Sequence, residues 1–254
     1  MTNNPTGGVQ TIDRALTILE TLSNYDNLSL MEISEKVQLH KATTHRLINS
    51  LLQNGYIEKD PTTKKYRISL KLFQLGNRRV QNIDFLNVAK SMIRQLSQEI
   101  NQTVHLVIED DYEVLYIDKH DAQQSDTRMH SRIGKKAPMY LTAVGKAILA
   151  TKPNSAVIEY WEQADIQKKT KNTITDLDAF LAEMETVRQQ GYALDYEENE
   201  VGIVCIGASF ASYKDLAAGA ISISLPVSEI EKKDQYITKI VETTRKISNL
   251  LGHF

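Results

Sequence analysis

Two sets of residues in this chain have types and spacing that could do chemistry. The first is Lys41, Thr43, Thr44, His45, Arg46 and Asn49, followed by Lys64, Lys65 and Arg67. Guanidinium, amide, imidazole and hydroxyl groups so spaced can hydrogen-bond base edges, and clustered cations can neutralise phosphates. The second set is Asp195, Cys205, Ser222 and Ser224, a carboxylate, a thiol and two hydroxyls spread among aliphatic residues. Such groups suit a small, mostly apolar pocket with a few polar contacts. Two other readings stay open. Cys205 could be a small core residue with the serines facing water. Cys205 or a serine could also be a nucleophile, although no sequence feature places a histidine beside it to act as base.

The elements that would position the first set run from Ser29 to Arg67. Ser29 and Glu32 form an S-x-x-E capping box, and Leu30, Ile33 and Val37 follow on one helical face. Gln38, Leu39 and His40 make the turn. A second helix over 41–53 is stopped by Asn54-Gly55. At about 100° per residue, Leu47, Ile48, Leu51 and Leu52 share an apolar face and Thr44 turns inward with them. Ala42, Arg46, Asn49 and Gln53 turn outward, and Thr43 and His45 flank them. Residues 56–58 and 66–68 pair as strands around the loop 59–65, giving a basic wing. This is a winged helix-turn-helix, and it makes double-stranded DNA the first partner to expect. Charge agrees: residues 36–79 hold ten Lys and Arg against two Asp and Glu, in a chain of formal net charge −2. The alternative is a winged-helix module used only for protein contacts.

A first helix carrying Ile12, Ala15, Leu16, Leu19 and Leu22 should pack on this unit, and residues 1–8 should be disordered. Residues 70–80 read as a linker helix with Leu72, Leu75 and Val80 as an apolar stripe. The expected domains are therefore 1–69, a linker over 70–83, and 84–254. The last opens with Asp84 as N-cap of a helix over 85–100. Strands are expected at 104–108 and 113–117, with a further one over 127–133. Helices over 142–150 and 155–163 follow, then one capped by Thr175 and Asp178 and closed by Gly191. Strands over 192–196, 203–210 and 217–225 come next, and Ser228 with Glu231 caps a final helix reaching Gly252. Helices at both ends of mostly antiparallel strands make this an α+β domain. If Phe210 pairs with Ala217, Cys205 lies opposite Ser222 and Ile203 opposite Ser224, so all four share one face.

Composition sets outer bounds. The 254 residues are enough for two domains, and 41% hydrophobic with 24% charged residues describes an ordinary globular chain. One cysteine excludes an intramolecular disulfide framework. No apolar run approaches a membrane span and the N-terminus has no signal-peptide core, so a cytoplasmic protein is expected. There is no G-x-G-x-x-G, no phosphate loop at Gly145-Lys146, no H-E-x-x-H and no C-x-x-C, so no cofactor and no metal are expected.

With these residues in view, the chain resembles the IclR family of transcriptional regulators over nearly its whole length. The resemblance is carried by V-Q-T-I-D-R-A-L-T-I-L-E (9–20), H-K-A-T-T-H-R-L-I (40–48) and D-P-T-T-K-K-Y-R-I-S (60–69). It continues through A-P-M-Y-L-T-A-V-G-K-A-I-L-A (137–150), R-Q-Q-G-Y-A-L-D-Y-E-E-N (188–199), V-G-I-V-C-I-G-A (201–208) and A-I-S-I-S-L-P (220–226). It implies a winged helix joined by a linker helix to a GAF-like effector domain, in dimers or tetramers bound to palindromic operators. It further implies a regulator, read here as a repressor, that senses a small organic molecule such as a carboxylic acid. By this resemblance the effector positions are Asp195, Cys205, Ser222 and Ser224 with the backbone near Ala143 and Val144. The family often has glycine where Ala143 stands. Ala137, Met129 and Ile203 are the implied apolar walls.

Overall fold

The computed structural model describes residues 9–25, 27–81, 86–121 and 132–253, and they divide into two compact units between residues 83 and 84. The expectations about residues 1–8, Asp84, Phe85, Met129 and residues 127–131 fall outside the described residues; Arg132 and Ile133 are not in a strand.

The first unit holds α1 (Gln10–Ser23), α2 (Leu30–Lys36), α3 (Lys41–Gln53), the hairpin β1 (Ile57–Lys59) and β2 (Tyr66–Ile68), and α4 (Leu70–Gln81). The Ser29 box forms with both halves made: Ser29 Oγ accepts from the Glu32 amide at 3.3 Å and Glu32 Oε2 accepts from the Ser29 amide at 2.7 Å. Replacing Ser29 by alanine should cost about 1 kcal/mol, read as a lower melting temperature in circular dichroism; an unchanged melt would mean the Glu32 half suffices. Gln38 turns the chain at φ 52°, and Gly55 closes α3 at φ 72°. The core joins Ile18 and Leu22 of α1 to Ile33, Leu47, Ile48, Leu51, Ile57 and Tyr66. Ile12 and Leu16 are exposed, contrary to the packing expected of them, because α1 buries the stripe through Ala15, Ile18, Leu19 and Leu22. The start of α4 is tied to this unit: Ser69 Oγ donates to the Gly55 carbonyl at 2.5 Å, and Lys71 Nζ donates to that of Asn54 at 2.6 Å.

The second unit is a six-stranded antiparallel sheet in the order β5-β4-β3-β8-β7-β6. Its strands are β3 (Thr103–Asp110), β4 (Glu113–His120), β5 (Lys136–Pro138), β6 (Ala193–Tyr196), β7 (Ile203–Phe210) and β8 (Gly219–Pro226). Residues α5 (Leu86–Ile100) and α9 (Lys233–Leu250) pack on β3, β7 and β8 over a face of aliphatic side chains: Val104, Leu106, Val204, Ile206, Ile221, Ile223 and Leu225. The other face is covered by α6 (Ala143–Leu149), with α7 (Asn154–Gln163) and α8 (Leu177–Gln190) behind it. Mixed helices around an antiparallel sheet, preceded by a winged helix, make the chain α+β.

Three local expectations are corrected. Asp176, not Thr175, caps α8, its side chain accepting from the Ala179 amide at 2.9 Å. The Ser228–Glu231 box does not form: a 3-10 turn (Val227–Lys232) comes first and α9 starts at Lys233 with no side-chain cap. The β7–β8 register is shifted by two residues, with Phe210 opposite Gly219, because the connection spans residues 211–218.

Candidate DNA interface and effector site

On α3, Lys41, His45, Arg46 and Asn49 are exposed and Thr43 is half-buried. Asn49 Nδ2 and His45 Nδ1 lie 3.5 Å apart, so these two polar groups share one outward patch. Thr44 does not belong to it: the residue is fully buried and its hydroxyl donates to the His40 carbonyl at 3.3 Å. Its place among the DNA contacts is withdrawn, since inward packing at this position is what helical spacing dictates. In the wing, Asp60 Oδ1 accepts from the amides of Thr62 at 2.8 Å and Thr63 at 2.6 Å, which fixes the loop. Lys65 lies 3.6 Å from Glu32, and Arg67 donates twice to Glu58 on the neighbouring strand. Part of the wing's positive charge is thus offset internally, and Lys64 makes no ion pair among the described residues.

The second site lies on the α6 side of the large sheet. Cys205 pairs with Ser224 rather than Ser222, Ser222 lies opposite Gly207, and Ile203 lies opposite Pro226. A shift of two residues preserves the side of every side chain, so Asp195, Cys205, Ser222 and Ser224 still share one face. Asp195 sits directly across from Cys205, and His105 across from Ser222. The register of β4 and β5 brings Tyr116 and Ala137 to the same face, and Ile203 stands partly exposed at its edge. Ser222 and Ser224 are buried and do not face water. Cys205 Sγ is 3.1 Å from Ser224 Oγ, which is in turn 3.5 Å from His105 Nδ1.

Burial dominates the electrostatics here. It pushes the His105 imidazole down to about 3, with Lys119 adding to the effect, so the ring is neutral. Burial and then Asp195 push the Cys205 thiol above its ordinary range, and burial raises the Tyr116 hydroxyl as well. A nucleophilic cysteine needs the opposite shift. Asp195 is pushed up to about 7 by burial, against the lowering effect of its bonds to backbone. Its Oδ1 accepts from the amides of Glu198 at 2.8 Å and Asn199 at 3.3 Å, so it fixes the turn after β6 and does not orient the histidine.

The start of α6 lies on this face. A Cβ on Gly207 would come 2.5 Å from the Ala143 carbonyl carbon and 2.7 Å from the Val144 nitrogen, so the bare strand lets the helix start touch it. Thr142 caps α6, its hydroxyl accepting from the Gly145 amide at 3.2 Å. Behind it, Lys146 is 1% exposed and donates to Glu198 at 2.6 Å and Glu183 at 2.9 Å. The sequence reading missed His105, Gly207 and this buried lysine. The pairing of β3 with β8 brings His105 in, and no local signal announces it. Among the described residues no cluster of three metal-ligating side chains occurs, and no helix is long and apolar enough to cross a membrane.

Comparison with known proteins gives one consistent answer. Residues 11–61 match the IclR helix-turn-helix domain, and residues 77–249 match the domain described as "Bacterial transcriptional regulator IclR C-terminal". The chain is 33% identical over 247 residues to the HTH-type transcriptional regulator KdgR of Escherichia coli, covering 96% of this chain and 94% of that one. It is 32% identical to the DNA-binding transcriptional repressor YiaJ of the same organism, covering 96% and 89%. The crystal structure of the Thermotoga maritima IclR superposes with a TM-score of 0.83 at 31% identity, over 96% of this chain and all of that one. A winged helix with a polar outward face, a capped sheet with a buried polar floor and these matches over nearly the full length place the chain in the IclR family of DNA-binding transcriptional regulators, which are not enzymes.

Proposed function

We propose that this regulator is a cytoplasmic repressor that binds a palindromic operator as a homodimer, or as a tetramer of two such dimers, and responds to a small organic acid. The observation that carries the sensor reading is the single face of the sheet, under the start of α6, shared by the buried Asp195, Ser222 and Ser224 and the half-buried Cys205. The amides of Ala143 and Val144 lie in the first turn of that helix, where backbone donors favour an anion, and Ala137 and Ile203 supply apolar edges. The name of YiaJ, a repressor, supports the sign of regulation. A ligand acts only through unequal affinity for two arrangements of the protein. Ser222→Ala with Ser224→Ala should therefore abolish the effector response while leaving ligand-free operator affinity within about 0.5 kcal/mol, because the serines and the operator-binding helix belong to different units and share no partners among the described residues. Titration of candidate acids into the protein–DNA complex checks this; equal responses in both proteins would remove the serines from the sensor.

For the DNA side, Lys41, Thr43, His45, Arg46 and Asn49 are assigned to the major groove, and Lys64, Lys65 and Arg67 to phosphates. Arg46→Ala should weaken operator binding by about 1–3 kcal/mol, as loss of a base contact does. Lys64→Ala and Lys65→Ala should weaken binding to all sequences alike and flatten the salt dependence. An electrophoretic mobility series over salt concentration separates the two behaviours, and a folded Arg46 variant with full affinity would exclude α3 as the reading helix. Two half-sites need two winged helices. Leu70 and Phe73 of α4 are 74% and 68% exposed, and Leu75 is exposed with them, which supports α4 as part of the dimer contact. Leu72 is half-buried, and the side chain of Val80 lies outside the described residues. A monomer in light scattering at binding concentrations would defeat the dimer assignment.

A further inference from the structure

The buried charges behind the sensor face do not balance. Lys146 on α6 is the ammonium shared by Glu183 of α8 and Glu198 of the β6–β7 turn. Only one oxygen of Glu198 reaches it; Oε2 is buried with no hydrogen-bond partner. The amide of the same Glu198 holds Asp195, so a third carboxyl belongs to the cluster. Among the described residues three carboxyls thus share one cation, with Asp195, Glu198 and Lys146 buried and Glu183 partly exposed. Among the described residues the other groups around Asp195 do not correct this. Cys205 and Tyr116 would only add negative charge, Glu200 lies near Cys205, and His105 is neutral. The cation on the far side, Lys119, is engaged with Asp121 at 2.9 Å.

An organic anion entering against Ser222 and Ser224 would add another negative charge beside Asp195. Burying a further uncompensated charge is costly, and a group in that position neutralises instead. We propose that the sensor takes up its acid ligand together with one proton, held on the free oxygen of Asp195, which then donates a hydrogen bond to the ligand carboxylate. No bond other than that O–H is made, and the proton comes from solvent. Lys146 and Glu198 are positioning residues in this scheme: they hold the Asp195 turn against α6. The proposal rests on the effector reading above and specifies its ligand as an anion bound with a proton. Asp195 already sits at about 7 without a ligand, so little stands in the way of its protonation.

The sign follows. Below the pKa of Asp195 the proton is already in place and affinity is flat. Above it, affinity falls about tenfold per pH unit and each binding event consumes a proton. The test uses the full-length protein with acetate, glycolate and benzoate as probes and glycerol as the uncharged control. Calorimetry in two buffers of different ionisation enthalpy, at about pH 6 and about pH 8.5, brackets the Asp195 transition. The expected result is uptake approaching one proton at the higher pH and none at the lower. Asp195→Asn is the discriminating variant. Its side-chain carbonyl can still accept from the Glu198 amide, and its NH2 can donate where the protonated acid would. It should bind the acids with a flat pH profile and no proton uptake. Proton-free binding of acids by the wild type would overturn the proposal and leave the effector site standing. Binding of glycerol but of none of the acids would overturn the acid reading itself, and the proposal with it. Carbon-13 NMR of the ligand-free protein gives an arm that needs no ligand: an Asp195 carboxyl titrating at an ordinary carboxylate value, about 4, would sink the proton scheme, and if no probe binds, this arm decides.

Discussion

Lys146→Ala should lower the stability of the C-terminal unit by about 3–5 kcal/mol, the range found when one member of a buried ion pair is removed. The lysine is enclosed, its ammonium is 2.6 Å from Glu198 and 2.9 Å from Glu183, and no other cation among the described residues pairs with the Glu198 carboxylate. Loss of the ammonium strands the Glu198 carboxylate in a site where burial already raises its pKa and Lys146 is the chief lowering influence. The deficit must then depend on pH. A carboxyl whose folded pKa exceeds its unfolded value binds more protons in the native state, so stability falls as pH rises between the two values. The variant should therefore be closest to wild type in acid and lose ground as pH rises through the carboxylate range, levelling above the folded value. Urea unfolding at several pH values measures this. Lys146→Met combined with Glu183→Gln and Glu198→Gln should recover most of the loss, because a neutral, well-filled replacement of a buried ion cluster is often nearly neutral. A small deficit that ignores pH would show that the cluster is wetter than its burial indicates.

How much of this could be read beforehand depended on whether the deciding physics was local. The Ser29 box, the bounds of α3 and the Gly55 and Gly191 stops were legible because caps and left-handed glycines act within a few residues. Helical spacing also placed Thr44 inside, and only its inclusion among DNA contacts went against that spacing. The faces of β7 and β8 were legible through alternation, but their register was not. Loop length decides it, and alternation cannot tell shifts of two residues apart. Ile12 and Leu16 were misplaced because α1 carries more apolar residues than one face can bury. His105 and Lys146 lay beyond reach for a different reason. One joins the site through the pairing of β3 with β8, the other through contacts 37 and 52 residues away in sequence. The β5 strand, three residues with a proline, has too little pattern to be seen.

Gly207→Ala should cost about 2–3 kcal/mol and remove the effector response as well, although it adds a single methyl group. Space, not backbone freedom, is the reason. The added carbon would lie 2.5 Å from the Ala143 carbonyl carbon, 2.6 Å from its oxygen and 2.7 Å from the Val144 nitrogen. Those are backbone atoms, so no rotamer change relieves the contact. Nor can the helix start move freely, since a Cβ on Gly145 would come 2.3 Å from the Met139 Cα, and Thr142 caps the same turn. On the strand side, β7 is held between β6 and β8. The least costly response is for the start of α6 to lift from the sheet, which carries the Ala143 and Val144 amides away from Cys205 and Ser222. Stability and ligand response should fall together, whereas operator affinity of the folded protein should hold because α3 belongs to the other unit. Gly76→Ala on α4 is the matched control: nothing among the described residues lies within 4 Å of its added carbon, and the residue is helical. It should stabilise the protein by about 0.4–1 kcal/mol through the unfolded chain. Thermal melts of both variants with an effector titration of the first decide the matter, and a Gly207→Ala protein with wild-type stability and full response would mean that the start of α6 does not form the roof of the sensor.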